Sequence, residues 1–348
     1  MRSPPSGSTR SACVLAAWGV LAAVAGPVAA SGQSLRGEAV AAETQARLPY
    51  TTVSLIPGFP TRFTDDSGAF VYAALPPGTY RLILRHIGYQ LFDTVLVIAD
   101  QPIHLRLALR PLAFELPPVT VVALLSCGQP GPPDPAAEPE LAAIFDQLRE
   151  NAARYRLLSD AYPFKYWILR RLQNEGSRLV ITDTLEYRSD HMVRYAPGRL
   201  VGGYIRAGGG RRRELRIPNA ADLADSAFHK AHCFAFGGVE SIDGQAHLRV
   251  DFQAAARLRA PDVDGTAWLD SATHALRRLT FRLTQAERAV AGLQALDVTV
   301  VFGQVLPSIE LPSLVVSITT AKDGSTGLEE QRLLRWAFLR AVPGRHTP

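Results

Sequence analysis

Apolar and polar side chains alternate at period two through much of the chain, the pattern of strands with one buried face. At positions 79–86, Tyr80, Leu82 and Leu84 take one side while Arg81 and Arg85 take the other. Runs at 35–40, 51–56, 69–73, 93–98 and 104–109 add segments of the same kind, with no helical period among them. The punctuation between them has turn chemistry. Asp65-Asp66-Ser67-Gly68 offers an aspartate for local hydrogen bonds and a glycine free to take positive φ, and Pro76-Pro77-Gly78 fixes φ and then releases it. Six or seven short strands at spacings of roughly 8–12 residues predict a β-sandwich over 33–112.

Beyond residue 160 the alternation resumes. Leu248, Val250 and Phe252 face away from His247, Arg249 and Asp251, and the pattern repeats in Leu279, Phe281, Leu283, in Val298, Val300, Phe302, in Leu314, Val316, Ile318 and in Leu334, Trp336, Phe338. Asp243-Gly244 and Asp323-Gly324 sit where hairpin turns belong. One apolar face per strand predicts an antiparallel sheet covered on a single side. The cover is expected between the two halves, where Leu141, Ile144, Phe145, Leu148, Ala152 and Tyr155 fall at helical spacing. Pro139, flanked by Glu138 and Glu140, suits a first turn, so a helix is predicted from 139 to about 158.

The chain has 348 residues, 47% hydrophobic and 20% charged, a globular balance that suits two domains. The segment 113–138 reads as a spacer, because Pro130, Pro132, Pro133 and Pro135 forbid both helix and ladder. Domains are therefore expected at 33–112 and 139–341. Residues 1–30 read as a secretory signal: Arg2 and Arg10, an apolar run at 12–25, then Val28-Ala29-Ala30 at the expected cleavage point. No later run approaches about 18 apolar residues, so no transmembrane segment is expected after cleavage. The product is expected in the periplasm, at the outer membrane or outside the cell.

Charge and cysteines narrow the picture further. The net charge of +5 is carried by arginines scattered along strands, with Lys165, Lys230 and Lys322 the only lysines. A nucleic-acid partner would want clustered basic residues on one face, so none is expected. Arg211-Arg212-Arg213, after Gly208-Gly209-Gly210, reads as a hairpin loop, with docking to anionic lipid or polysaccharide as the alternative. Once the signal leaves with Cys13, Cys127 and Cys233 stand as an even pair, which in an exported protein predicts a disulfide. It would close a loop of about 100 residues, worth up to about 4–5 kcal/mol in the chain-entropy account.

Two motifs carry family resemblances. The run Thr64-Asp65-Asp66-Ser67-Gly68-Ala69-Phe70, then Leu75-Pro76-Pro77-Gly78-Thr79-Tyr80, then His86-Ile87-Gly88-Tyr89 resembles the carboxypeptidase regulatory-like domain. Its landmarks, T-D-x-x-G-x-F, L-P-x-G-x-Y and I-G-Y, all occur in order. The resemblance implies a seven-stranded prealbumin-like sandwich, an accessory module of exported bacterial proteins, with Asp65, Gly68, Phe70, Pro76, Gly78, Tyr80, Gly88 and Tyr89 as its structural landmarks. It does not bring a zinc carboxypeptidase, which needs His-x-x-Glu: no histidine here has Glu three residues on. Further along, Asp264-Gly265-Thr266-Ala267-Trp268-Leu269-Asp270 with Thr273 and Leu276 resembles a hairpin of lipoprotein-sorting-type half barrels and related envelope domains. That resemblance implies a curved sheet with an apolar concave face, able to accept an acyl chain or a partner's strand.

Candidate chemistry is sparse. His229 and His232, with Cys233 and Asp225 close by, have ligand types suited to zinc or copper, but a disulfide would consume the cysteine. Asp262-x-Asp264-Gly265 begins like a calcium loop and lacks its distal acid, so a turn is expected. Gly-x-Ser-x-Gly and Gly-x-x-x-x-Gly-Lys are both absent, and Asp183 with Glu186, or Glu329 with Glu330, are ordinary surface spacings. The chain is expected to be a mostly β, non-catalytic cell-envelope protein without cofactor. Its front module would bind an envelope protein or a glycan. One alternative is a lipid or lipoprotein carrier using the second sheet, and another is a metal-dependent hydrolase around His229 and His232.

Overall fold

The computed structural model describes residues 33–99, 101–112, 126–174, 180–191, 193–205 and 211–340. The first seven strands are β1 (Gln33–Ala41), β2 (Thr52–Ile56), β3 (Arg62–Phe63), β4 (Ala69–Leu75), β5 (Gly78–Arg85), β6 (Phe92–Ile98) and β7 (Ile103–Leu109). They form two sheets, β4-β1-β7 and β3-β2-β5-β6, which enclose a core that includes Leu35, Val53, Phe70, Tyr72 and Leu82. Alternation decides the faces: Tyr80, Leu82 and Leu84 are buried, while Arg81 pairs with Asp93 on β6. The turn before β4 works as its residues suggest. The Asp65 carboxylate accepts from the backbone N–H of Ser67 (2.8 Å) and of Ala69 (2.9 Å). Gly68 takes φ +76°, and a Cβ there would lie 2.9 Å from the Ala39 carbonyl oxygen. Tyr80 closes the next turn by donating to the Pro76 carbonyl at 3.0 Å. The Tyr89 ring meets the edge of His86.

The second half starts with one long helix, α1 (Pro139–Ala161), and a hairpin of β8 (Phe164–Asn174) and β9 (Val180–Arg188). A small hairpin follows, β10 (Val201–Ile205) and β11 (Arg211–Leu215), then two single-turn helices, α2 (Ala220–Leu223) and α3 (Ser226–His229). The chain then meanders through β12 (His232–Ile242), β13 (Gln245–Ala254), β14 (Val263–Asp270), β15 (Leu276–Leu283), the short α4 (Ala286–Ala289), β16 (Leu293–Leu306), β17 (Ile309–Ala321) and β18 (Thr326–Phe338). Nine strands make one sheet in the order β12-β13-β14-β15-β16-β17-β18-β8-β9. Helix α1 lays Leu141, Ile144, Phe145 and Leu148 on the inner face, against Phe234, Leu248 and Val250 among others. Its apolar stripe is what the helical spacing predicts, and the helix runs three residues beyond 158.

Four local readings change. Arg211, Arg212 and Arg213 lie in strand β11, and the tip of that hairpin, 206–210, falls outside the described residues. Asp262 and Asp264 do not make a turn, because β14 starts at Val263 and Asp264 accepts from the Ala254 N–H at 2.7 Å. On β17 the register pairs Val300 with Val315 and Val298 with Ser317, so the odd-numbered residues face inward and Ile318 is 47% exposed. Leu334 of β18 likewise points outward, next to a bulge between Leu333 and Arg335.

Cys127 and Cys233 are joined by a disulfide across 106 residues, with Cα atoms 5.4 Å apart. The joined segment lies along edge strand β12: the Gly131 N–H donates to the His232 carbonyl (3.2 Å) and the Ala256 N–H to that of Cys127 (3.0 Å). The two halves also pack on each other. Tyr50 of the sandwich joins Leu158, Phe164, Leu306, Ile309 and Leu311 in a third core, Phe63 meets the Tyr162 ring at 5.7 Å, and Arg85 lies 3.3 Å from Glu150 of α1.

Candidate functional site

The inner face of the nine-stranded sheet is only partly covered by α1. A cavity of about 940 Å³ opens between the sheet, the α1 side chains Asn151, Ala152 and Tyr155, and the two stretches 198–201 and 214–221. This volume lies at the upper end of the range of roughly 300–1,000 Å³ typical of small-molecule sites. Strands β15 and β16 give it an apolar wall of Leu276, Leu283, Leu296, Val298 and Phe302. The wall across the sheet is mixed. Val315 and Ile168 line it, but so do Ser317, Thr319, Glu329, Gln331 and Arg170. The shift follows from the register, since the inward face of β17 passes from Ile309, Leu311 and Val315 to Ser317 and Thr319. The cavity is therefore amphipathic across its width.

Its polar wall is built by side-chain pairs. Arg170 of β8, 8% exposed, donates through Nε and Nη2 to Asp183 of β9 at 2.8 and 2.5 Å, a fork-to-carboxylate pair that fixes both side chains. Beside it Tyr166 and Tyr187 stack with ring centroids 5.3 Å apart. Tyr187 donates to Glu214 of β11 at 3.1 Å, which ties the sheet to the small hairpin above it. Burial pushes the Tyr166 phenol up to about 12 and raises those of Tyr155 and Tyr187 further, so all three line the cavity as neutral hydroxyls. Around the segment side, Arg188 pairs with Asp190 (2.8 Å) and Arg216 with Asp222 (2.6 Å), while Arg199 lies exposed on the rim.

Two titratable groups mark the end of the cavity near the sandwich. His274, at φ +55° in the β14–β15 turn, is pushed down to about 4 by burial. Glu310 of β17 is pushed up to about 7, chiefly by burial, with Arg277 and Arg154 drawing it back.

The histidine pair lies elsewhere. His229 Nε2 is 2.6 Å from the Leu223 carbonyl. His232 has Nδ1 2.9 Å from the Phe228 carbonyl and Nε2 3.1 Å from that of Val263, and it stacks on Phe228 at 3.8 Å. Asp225 caps α3 through the Ala227 N–H, and Asp262 accepts from Tyr195 at 2.5 Å. Cys233 is in the disulfide, and no group of three metal-ligating side chains occurs among the described residues. The sandwich landmarks Phe70 and Tyr80 point into its core, away from any surface on which a sugar could stack. The residues of the cavity's polar wall had received no role from sequence. Asp183 and Glu329, in particular, stood as surface acids, because each has a second acid close by on the opposite face of its strand. The alternation Tyr166, Ile168, Arg170, Leu172 was the available signal.

No family model matches the chain, and no curated protein matches it. Solved structures that resemble it include a DUF1329 family protein from Desulfovibrio piger, at 10% identity and TM-score 0.36, covering 57% of this chain and 94% of that one. A LolA superfamily protein from Nitrosomonas europaea aligns at 13% identity and TM-score 0.29, covering 58% and 94%. An outer-membrane lipoprotein-sorting protein domain from Vibrio parahaemolyticus aligns at 13% and 0.33, covering 57% and 95%.

Proposed function

We propose that this chain is an exported, non-catalytic envelope protein that carries an amphiphilic lipid, or the acyl chains of a lipoprotein, in the cavity of its second half. The observation that carries this reading is the cavity itself: about 940 Å³, walled by Leu276, Leu283, Val298 and Phe302 on one side and by Arg170, Ser317 and Gln331 on the other. An empty apolar cavity loses dispersion contacts along its whole lining, and an acyl chain restores them. A ligand that is apolar throughout would cover the paired polar side chains of the other wall with hydrocarbon and shield them from water, which opposes its binding. A ligand with a chain and a head satisfies both walls. We prefer this reading to a glycan-facing role for the front sandwich, whose landmark aromatics Phe70 and Tyr80 are turned into its core.

The test is direct. Protein purified from an envelope fraction is extracted with organic solvent for lipid analysis, then stripped and titrated with a fluorescent fatty acid. Val298→Trp and Leu276→Trp fill the apolar wall, and each is expected to weaken binding by tenfold or more while the circular dichroism spectrum is kept. A wild-type protein that yields no extractable lipid and takes up no probe at micromolar concentration refutes the carrier.

A further inference from the structure

A second, smaller chamber of about 160 Å³ lies between the sandwich and the outer side of α1. Arg85 and His86 reach it from the end of β5, and Gln147, Glu150 and Arg154 from successive turns of the helix. Arg154 is the unusual group: it is 3% exposed, and its Nε, Nη1 and Nη2 atoms are buried without a hydrogen bond among the described residues. A guanidinium carries five donors in a fixed plane, and burying them unpaired is among the more costly arrangements a protein can hold. The obvious partner is one turn back on the same helix. Glu150 instead turns to Arg85, 3.3 Å away. Glu310 is near enough to act on Arg154 through its charge, yet no ion pair joins them, and its own Oε1 is buried without a hydrogen bond.

The remaining charges around the chamber do not supply an acceptor either. Arg85 is a like charge that works against Arg154. His86 is kept neutral, pushed down to about 4 by burial and then by Arg154. Two guanidinium groups and one carboxylate leave the chamber positive at neutral pH. Its volume is about five times that of a water in the liquid, room for a group with several oxygens.

We propose that this chamber is an oxyanion site, taking a carboxylate or phosphate group, with Arg154 as its principal donor and Arg85 as the second. Arginine suits the task because its planar fork meets two oxygens of such a group at once. An anion there would satisfy the buried donors and relieve the repulsion between the two arginines. It would also bridge β5 to α1, so its occupancy would clamp the sandwich to the second half. The site does not depend on the large cavity holding a lipid. The anion could be a free ion or the headgroup of a membrane phospholipid.

The experiment is thermal unfolding of the full-length protein at constant ionic strength, with chloride replaced stepwise by inorganic phosphate or by acetate. The expected result is a saturable rise in Tm, about 4 °C or more at a hundredfold excess over Kd. The rise should vanish in Arg154→Met and shrink in Arg85→Gln. If Arg154→Met does not fold, Arg154→Lys keeps the charge without the fork and is expected to lose at least tenfold in phosphate affinity by ³¹P NMR titration. Sedimentation with phosphatidylglycerol vesicles separates the sources. Binding that phosphate competes away and that Arg154→Lys loses identifies a lipid headgroup, whereas a phosphate response without vesicle binding identifies a free anion. No rise in the wild type, or an equal rise in wild type and Arg154 variants, overturns the site.

Discussion

Glu310 stands where the large cavity approaches the seam with the sandwich, and burial decides its chemistry. An acid pushed up to about 7 from an unfolded value near 4.5 binds a proton in the native state that the unfolded chain has already released. Its effect on stability is therefore absent below about pH 4.5, grows unfavourable as pH rises to about 7, and is constant above that. Part of its surface faces the cavity, where water screens the charge, so the penalty is set at about 1–2 kcal/mol, below the full conversion of the shift. Glu310→Gln keeps the shape and removes the ionisation. The variant is expected to gain on the wild type progressively between pH 4.5 and 7, and to hold that advantage at pH 8, in urea unfolding followed by tryptophan fluorescence. A difference that does not change with pH would mean that folding leaves the Glu310 carboxyl at its unfolded value.

At the scale of elements, β17 shows what alternation can and cannot say. The strand was legible, but its facing was not, because both faces carry branched residues: Leu314, Val316 and Ile318 on one, Ile309, Leu311 and Val315 on the other. Period two identifies a strand and is silent on which phase is buried when neither is polar. Pairing with β16 resolves it by setting Val315 beside Val300. Strand β13 was easier to read, since His247, Arg249 and Asp251 mark the face opposite Leu248, Val250 and Phe252. The polar wall of the cavity was hidden for the opposite reason. Serine, threonine, glutamate and glutamine on an inward face look like a solvated face unless a cavity is known to lie beneath it. The phase predicts a contrast between two lysines. Val315→Lys is expected to cost about 3 kcal/mol or more, since it places a charge among Val298, Val300 and Phe302. Ile318→Lys should fall within about 0.5 kcal/mol of the wild type. Chemical denaturation of the pair checks the register, and equal costs would reverse it.

Across the whole molecule, the proline-rich segment suggests two independent bodies, and the structure joins them. The joining residues were not readable in advance because they sit on short or irregular segments, Tyr50 just before β2 and Phe63 at the end of the two-residue β3, while their partners lie about 100 residues or more along the chain. A periodic pattern reports on its own strand, not on a contact at that distance. The seam combines the Tyr50 core with Phe63 on Tyr162, Arg85 with Glu150, and the close approach of Gly88 to Thr273, where a Cβ would come within 3.2 Å of Cγ2. Tyr50 is 5% exposed and donates to Asp66 at 2.5 Å, so it is held from both sides. Two cores linked by such a contact should unfold together, and calorimetry of the wild type is expected to show one transition with calorimetric and van't Hoff enthalpies in agreement. Tyr50→Ala removes the largest sandwich side chain from the third core, at about 3–5 kcal/mol for a buried aromatic. That loss is expected to fall on the coupling and split the endotherm in two, the sandwich melting first. The disulfide cannot mask the effect, since Cys127 and Cys233 both lie on the far side of the seam from the sandwich. Two transitions already present in the wild type would show that the halves touch without exchanging stability, and the clamp attributed to the anion chamber would then have nothing to act on.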